Sequence, residues 1–235
     1  RRLEILKTLV DFKDRKILDL GCGEGVWLRE FAKLTGEQNV YGSDIDPESI
    51  QKALDQNPEF KKENLKVSTA EDLQFESNMF DIVFQNEVLE HVVDDVKTIR
   101  ECFRVLKPGG KIILFTPNSG WPFETHGMFI GKKYYWGNIP LLPWMPKSIY
   151  KKFAPHVRNY SNKELRMVID SATRSFQESV EGYEYSIIYH KHVFPGFDGM
   201  VRRFGIVGRV VRGAILVLEK TPLHFFGISH LMIIE

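Results

Sequence analysis

The sequence predicts an α/β fold built on a doubly wound parallel sheet, and three features predict it. An apolar run, Ile17-Leu18-Asp19-Leu20, enters the glycine turn Gly21-Cys22-Gly23-Glu24-Gly25, and helical spacing begins at about Gly25. Short strand-like runs then alternate with helical periodicity over about 115 residues, the pattern of successive βαβ units. An acid, Asp44, closes the second strand-like run downstream of the glycine turn. A strand, a glycine loop and a helix N-terminus together make a nucleotide-type pocket at the carboxyl end of a parallel sheet.

The elements follow in order. Residues 1–11 carry Leu3, Leu6, Leu9 and Val10 at helical spacing, a helix expected to cover one edge of the pocket. Residues 16–20 form the first strand and 25–35 the first long helix, with Val26, Trp27, Phe31 and Leu34 as its apolar contacts and Gly36 at its end. The second strand, 40–43, leads to Asp44, after which Asp46 and Pro47 suit an N-cap and a first helical position. Strands follow at 65–67 and 80–84. A helix near 92–105 is stopped by Lys107-Pro108-Gly109-Gly110, and 111–115 is the fifth strand.

The chain changes character at residue 119. Residues 119–160 hold ten aromatics, and six basic residues face a single acid, Glu124. Pro140, Pro143, Pro146 and Pro155 break up regular structure, so this stretch reads as an inserted cap. Ser161 then caps a helix through about residue 173, a strand lies near 176–189, 200–218 is a helix and 230–234 a last strand. The expected organisation is a core over 1–118, a cap over 119–160, and completion of the core by 161–235.

Composition bounds the function. A chain of 235 residues is long enough for one sizeable α/β domain with an insertion. A net charge of +1 gives no electrostatic case for nucleic acid. No apolar run approaches the roughly 20 residues of a membrane span. The chain begins at Arg1, so a preceding segment is expected. Cys22 and Cys102 lack metal-ligand spacing and read as reduced thiols of a cytoplasmic protein.

The pocket chemistry follows from the acids. Asp44 can accept hydrogen bonds from the two hydroxyls of a ribose, with Ile45 against the base. A dinucleotide fingerprint wants a third glycine where this chain has Val26, and Asp19 would repel a pyrophosphate. An α-ammonium group would suit Asp19. The ligand expected is therefore a nucleoside joined to an amino acid, S-adenosylmethionine.

ILDLGCGEG (17–25), VYGSDID (40–46), AEDL (70–73), FDIVFQNEVLEHV (80–92) and VLKPGGKIILFTPN (105–118) resemble, in order, the motifs of class I S-adenosylmethionine-dependent methyltransferases. The likeness is greatest to the small-molecule group that includes the quinone-biosynthesis enzymes. The resemblance implies a Rossmann-like seven-stranded sheet, S-adenosylmethionine as methyl donor and S-adenosylhomocysteine as product. It implies that Asp19 orients the methionine ammonium and that Gly21 and Gly23 underlie the methionine. It further implies that Asp44 binds the ribose, that Asp72 accepts from the adenine amino group beside Leu73, and that Gln85 and Asn86 border the methionine and acceptor.

Glu87-Val88-Leu89-Glu90-His91 resembles the E-x-x-E-H associated with a divalent metal in ubiquinone-biosynthesis O-methyltransferases. On a helix Glu90 and His91 would point apart, so no metal is expected. His126, His91 and His156 are the candidate catalytic bases, the first and last in the cap that follows the fifth strand. His190, His192, His224 and His230 have no assignable partner. The 200–218 helix sets an apolar stripe against Arg202, Arg209 and Arg212 and fits either a core position or peripheral membrane contact.

The reading is a methyltransferase acting on a flat, apolar or anionic small molecule, a lipid or a glycolipid head group. The alternatives are a metal-dependent quinone-type O-methyltransferase, a nicotinamide-dependent oxidoreductase, a non-catalytic binder of S-adenosylmethionine and a membrane-docking module.

Overall fold

The computed structural model describes residues 1–180, 182, 184–194, 205–207, 209–210, 213–214 and 217–235. The expected 200–218 helix therefore lies largely outside the described residues. The elements are α1 (Arg2–Lys7), β1 (Ile17–Leu20), α2 (Val26–Thr35), β2 (Val40–Asp44), α3 (Pro47–Gln56), β3 (Leu65–Val67), β4 (Phe80–Asn86), α4 (Asp95–Val105) and β5 (Leu106–Pro117). They continue with β6 (Phe123–Glu124), β7 (Met128–Ile130), β8 (Lys133–Tyr135), β9 (Ile139–Pro140), α5 (Lys147–Phe153), α6 (Asn162–Gln177), β10 (Ile187–Val193) and β11 (Ser229–Ile234).

Seven strands form one sheet in the order β10-β11-β5-β4-β1-β2-β3. The pairs β1–β2, β1–β4 and β2–β3 are parallel. Leu20 lies opposite both Ser43 and Gln85, so the carboxyl ends of β1, β2 and β4 finish at one edge. That register brings the glycine turn, Asp44 and Asn86 to the same side of the sheet.

The local chemistry explains the elements. All four β1 residues are buried, as a strand covered on both faces requires. Asp46 caps α3 by accepting from the amides of Glu48 and Ser49, and Pro47 opens the helix. Asp94 does the same for α4 through Lys97. Phe31 of α2 packs edge-on to Phe84 of β4 at 5.0 Å between ring centroids, and Trp27 lies 4.7 Å from the same ring. Leu28, fully buried, takes the inward place expected of Val26, which is 59% exposed.

Three boundaries differ from expectation. The first helix ends at Lys7. Helix α4 ends at Val105, and the Lys107–Gly110 stretch expected to stop it forms the start of a longer β5. Helix α6 continues to Gln177 where a strand was expected from 176, because Leu165, Ile169, Ala172 and Phe176 carry one buried stripe past residue 173. Its start is a capping box: the Ser161 amide donates to Glu164 Oε2 at 2.8 Å, and the Glu164 amide donates to Ser161 Oγ at 3.3 Å.

The chain divides into two compact units. The first comprises Arg1–Leu114, Arg166–Ile188 and Met232–Glu235; the second comprises Phe115–Leu165 and Tyr189–Leu231. Residues 189–231 thus group with the cap stretch. Despite its prolines, that stretch holds two antiparallel ribbons, β6–β9 and β7–β8, and a small core of Leu142, Tyr150, Ala154 and Val157. Among the described residues no helix is long and apolar enough to cross a membrane.

Candidate functional site

The site of the first unit begins at the turn after β1. Gly21 and Gly23 hold φ of +73° and +50°, angles that L side chains rarely adopt. The amides of Gly21 and Cys22 both donate to the Ser43 carbonyl, which ties the turn to β2. The Gly23 amide donates to Asp44 Oδ2 at 2.8 Å. A Cβ on Gly21 would sit 2.4 Å from Val88 Cγ2, whereas one on Gly23 would project into open space.

A cavity of about 330 Å³ is lined by Gly21 of this turn, by the ends of β1 and β2, by residues 68–71 and by the turn after β4. Asp44 and Glu87 supply acids, and Ile45, Val88, Val92 and Val93 supply apolar walls. Ile45 and Val93 are 69% and 88% exposed, apolar lips of this cavity. Glu87 holds a positive φ of 58° and accepts a hydrogen bond from Arg2, so α1 does reach one wall of this pocket.

Asp19 lies at the foot of the glycine turn, 1% exposed, and its Oδ2 has no hydrogen-bond partner. Burial, with Asp44 adding to it, pushes its carboxyl up to about 8. A buried carboxyl oxygen left unpaired costs free energy that a ligand cation could recover.

Several expected residues stand elsewhere. Asp72 is exposed and does not line the cavity; Ser68, Thr69, Ala70 and Glu71 form that wall instead. Leu73 is buried with its amide on Glu101. Gln85 is fully buried and turns to α4, where its Nε2 meets Cys102 Sγ at 2.8 Å. Asn86 stays at the carboxyl edge with the glycine turn and Asp44, and accepts from Arg2. Strand alternation explains the Gln85 result, since neighbours on a strand face opposite sides.

Residues 87–92 form a turn, not a helix, which overturns the ground for separating Glu90 from His91. Glu90 is buried and His91 exposed, yet a carboxylate oxygen of one and a ring nitrogen of the other lie within 4.8 Å.

In the second unit, His126 Nδ1 meets Glu124 Oε1 at 2.9 Å, and Tyr150 donates to Glu124 Oε2 at 2.6 Å. Glu124 is 3% exposed. Burial raises its carboxyl, but the bonds from His126 and Tyr150 outweigh burial and hold it below the usual carboxylate range. The sequence showed the polar cluster but not that Glu124 orients the imidazole. His156 is exposed, its Nε2 3.1 Å from the His126 carbonyl and its ring edge-on to Phe129. Trp121 stands beside Phe123 and Phe194 with its indole N–H buried and unpartnered. His190, His192, His224 and His230, unassigned from sequence, pair with one another.

Residues 18–114 match the family model described as a methyltransferase domain. The chain is 33% identical over 171 residues to a ubiquinone biosynthesis O-methyltransferase of Bartonella tribocorum, an alignment covering 69% of this chain and 64% of that one. The match places a methyltransferase domain over residues 18–114. Phosphoethanolamine N-methyltransferase 2 of Caenorhabditis elegans is 34% identical over 122 residues, 51% of this chain and 28% of that protein. The chain thus spans under two thirds of the length of these curated relatives. A crystal structure of an S-adenosylmethionine-dependent methyltransferase from Mesorhizobium loti superposes with a TM-score of 0.64 at 16% identity, over 99% of this chain and 95% of that one, and shows the shared fold. The methyltransferase domain's own residues fit such a donor: a buried acid with an unpaired oxygen, open space over Gly23, and an acid at the end of β2.

Proposed function

We propose that the chain transfers a methyl group from S-adenosylmethionine to a small-molecule or lipid-like acceptor. The observation that carries the reading is the unpaired buried oxygen of Asp19, on the strand that runs directly into the Gly21–Gly23 turn. Asp19 would receive the ammonium group, Asp44 the ribose hydroxyls, and Ile45 and Val93 the faces of the base, with the wall at residues 68–71 reading its edge. When bound, the donor supplies an electrophilic sulfonium methyl and leaves as S-adenosylhomocysteine. The protein's contribution is alignment and exclusion of water.

For an acceptor that must lose a proton, the Glu124–His126 pair has the chemistry of an oriented base. The aromatics and lysines of 119–160 suit a flat, apolar or anionic acceptor, and the unpartnered Trp121 N–H offers it a donor. Parallel calorimetric titrations with S-adenosylhomocysteine and with NAD test the donor. Micromolar binding of NAD alone would sink the reading. Incubating a source-cell extract with methyl-labelled donor identifies the acceptor, and binding without any labelled product would leave a non-catalytic binder.

A second reading is a metal-dependent quinone-type O-methyltransferase. The proximity of Glu90 and His91 in one turn favours it. Loss of turnover on chelation, restored by magnesium, decides for it.

A further inference from the structure

Outside the donor site, four histidines converge in the second unit. His190 and His192 stand two residues apart on β10, and such residues share one face of a strand. His230 lies on the neighbouring strand, β11. One ring nitrogen from each of the three lies within 4.8 Å of the other two. His224, in the Pro222–Phe226 turn, brings its Nδ1 to 3.3 Å from His192 Nδ1.

The far side of each buried ring is anchored. His230, fully buried, donates from Nε2 to the Tyr160 carbonyl at 2.8 Å. His192, 2% exposed, donates from Nε2 to Asn162 Oδ1 at 2.7 Å. Both bonds demand a proton on Nε2, so both rings present a bare Nδ1 lone pair inward. His190 Nε2 lies 3.0 Å from the His230 lone pair. Metal-ligating imidazoles characteristically donate their other N–H to a carbonyl or carboxylate, which fixes tautomer and orientation. Tetrahedral zinc with Zn–N bonds of about 2.0–2.1 Å spaces its ligand nitrogens about 3.3–3.4 Å apart. The His192–His224 separation matches that edge, and the His190–His230 separation needs to open by only a few tenths of an ångström.

We propose that His190, His192 and His230, with His224 as fourth ligand, bind a borderline-soft divalent transition metal, zinc foremost. The metal takes the place of the proton that His190 now shares with His230. An all-imidazole set suits zinc, copper or nickel and does not suit magnesium, which takes oxygen ligands. The half-buried His190 and His224 give the ion a way in. Bound there, it clamps β10, β11 and the 222–226 turn, and through the second-layer bonds it steadies Tyr160 and Asn162. The proposal does not depend on the methyl-transfer reading.

The test uses the full chain stripped with chelator and dialysed. Zinc titrated by calorimetry should bind at one equivalent with roughly micromolar or tighter affinity and raise the melting temperature. Cobalt(II) in its place should give visible absorption bands of a nitrogen-ligated tetrahedral site. Magnesium should do neither. The double variant His190→Ala/His224→Ala removes only half-buried rings, so circular dichroism should stay native while zinc affinity falls about 100-fold or more. His192→Gln, which retains a polar group near Asn162, should lose affinity similarly. Absence of saturable zinc binding by the wild type overturns the proposal, as does a double variant that binds zinc as tightly as the wild type.

Discussion

The Gly23 amide donates to Asp44 Oδ2, so the residue proposed to hold a ribose also holds the glycine loop. The other oxygen of Asp44 accepts from the Asp46 amide at 3.0 Å. Asp44→Ala removes the ligand contact and loosens the loop together. The expected loss of S-adenosylmethionine affinity is about 1.5–3 kcal/mol, the range for a hydrogen bond to a charged group. Asp44→Asn keeps an acceptor for Gly23 and should lose less. Calorimetry on the folded variants measures both, and an unchanged dissociation constant removes Asp44 from the ribose role.

The two glycines should fail differently. Gly21→Ala drives a Cβ against Val88 at an unfavourable φ, so it should lower stability as well as binding. Gly23→Ala meets no protein atom, so its cost to stability should be only about 1–2 kcal/mol, from the backbone angle. Its Cβ enters the proposed ligand space, and affinity should fall much further. Denaturant melts beside ligand titrations separate the two, and equal affinity losses with equal stability losses would contradict the assignment.

Asp19 should make the stability of the ligand-free protein depend on pH. Its carboxyl rises from 3.8 to about 8 because burial, and then Asp44, disfavour the charge. Between those values the native state holds a proton that the unfolded chain has released. Stability from this group therefore falls as pH rises from about 4 towards 8, by about 1.4 kcal/mol per pH unit at most. Asp19→Asn should flatten that slope in urea titrations. A ligand ammonium beside Asp19 favours the carboxylate, so donor binding at pH 7 should release up to one proton per chain. Calorimetry in buffers of different ionisation enthalpy reads this release, and Asp19→Asn should abolish it.

His126 and Trp121 should separate in kinetics with the true acceptor. His126→Ala is expected to lower kcat by about 10²- to 10⁴-fold if proton removal is in the slow step. Trp121→Ala should appear mainly in the acceptor KM. Glu124→Gln keeps the imidazole but weakens its orientation and should give a smaller kcat loss than His126→Ala, with a shifted pH profile. Wild-type kinetics in all three would make residues 119–160 a structural insertion.

The sequence alone determined what depends on short-range order. The glycine turn, the Asp46–Pro47 helix start and the alternation of strand and helix are local signals, and they carried the sheet class and the donor pocket. Asp19, Gly21, Gly23, Asp44 and Ile45 could be named as donor-site candidates because each sits at a strand end or in a turn whose geometry the local chain dictates. What only the tertiary structure decided depends on the direction of side chains and on residues far apart in the chain. Gln85 turns away from the pocket because strand register, not composition, sets its face. Residues 68–71 replace Asp72 as a pocket wall because a loop between elements has no periodicity to reveal its inward side. Glu124 meets Tyr150 of α5 from 26 residues away, and His190, His192, His224 and His230 come from two strands and a turn. No spacing along one element encodes such a cluster; it exists only once sheet pairing has closed loops of some thirty to forty residues between its members.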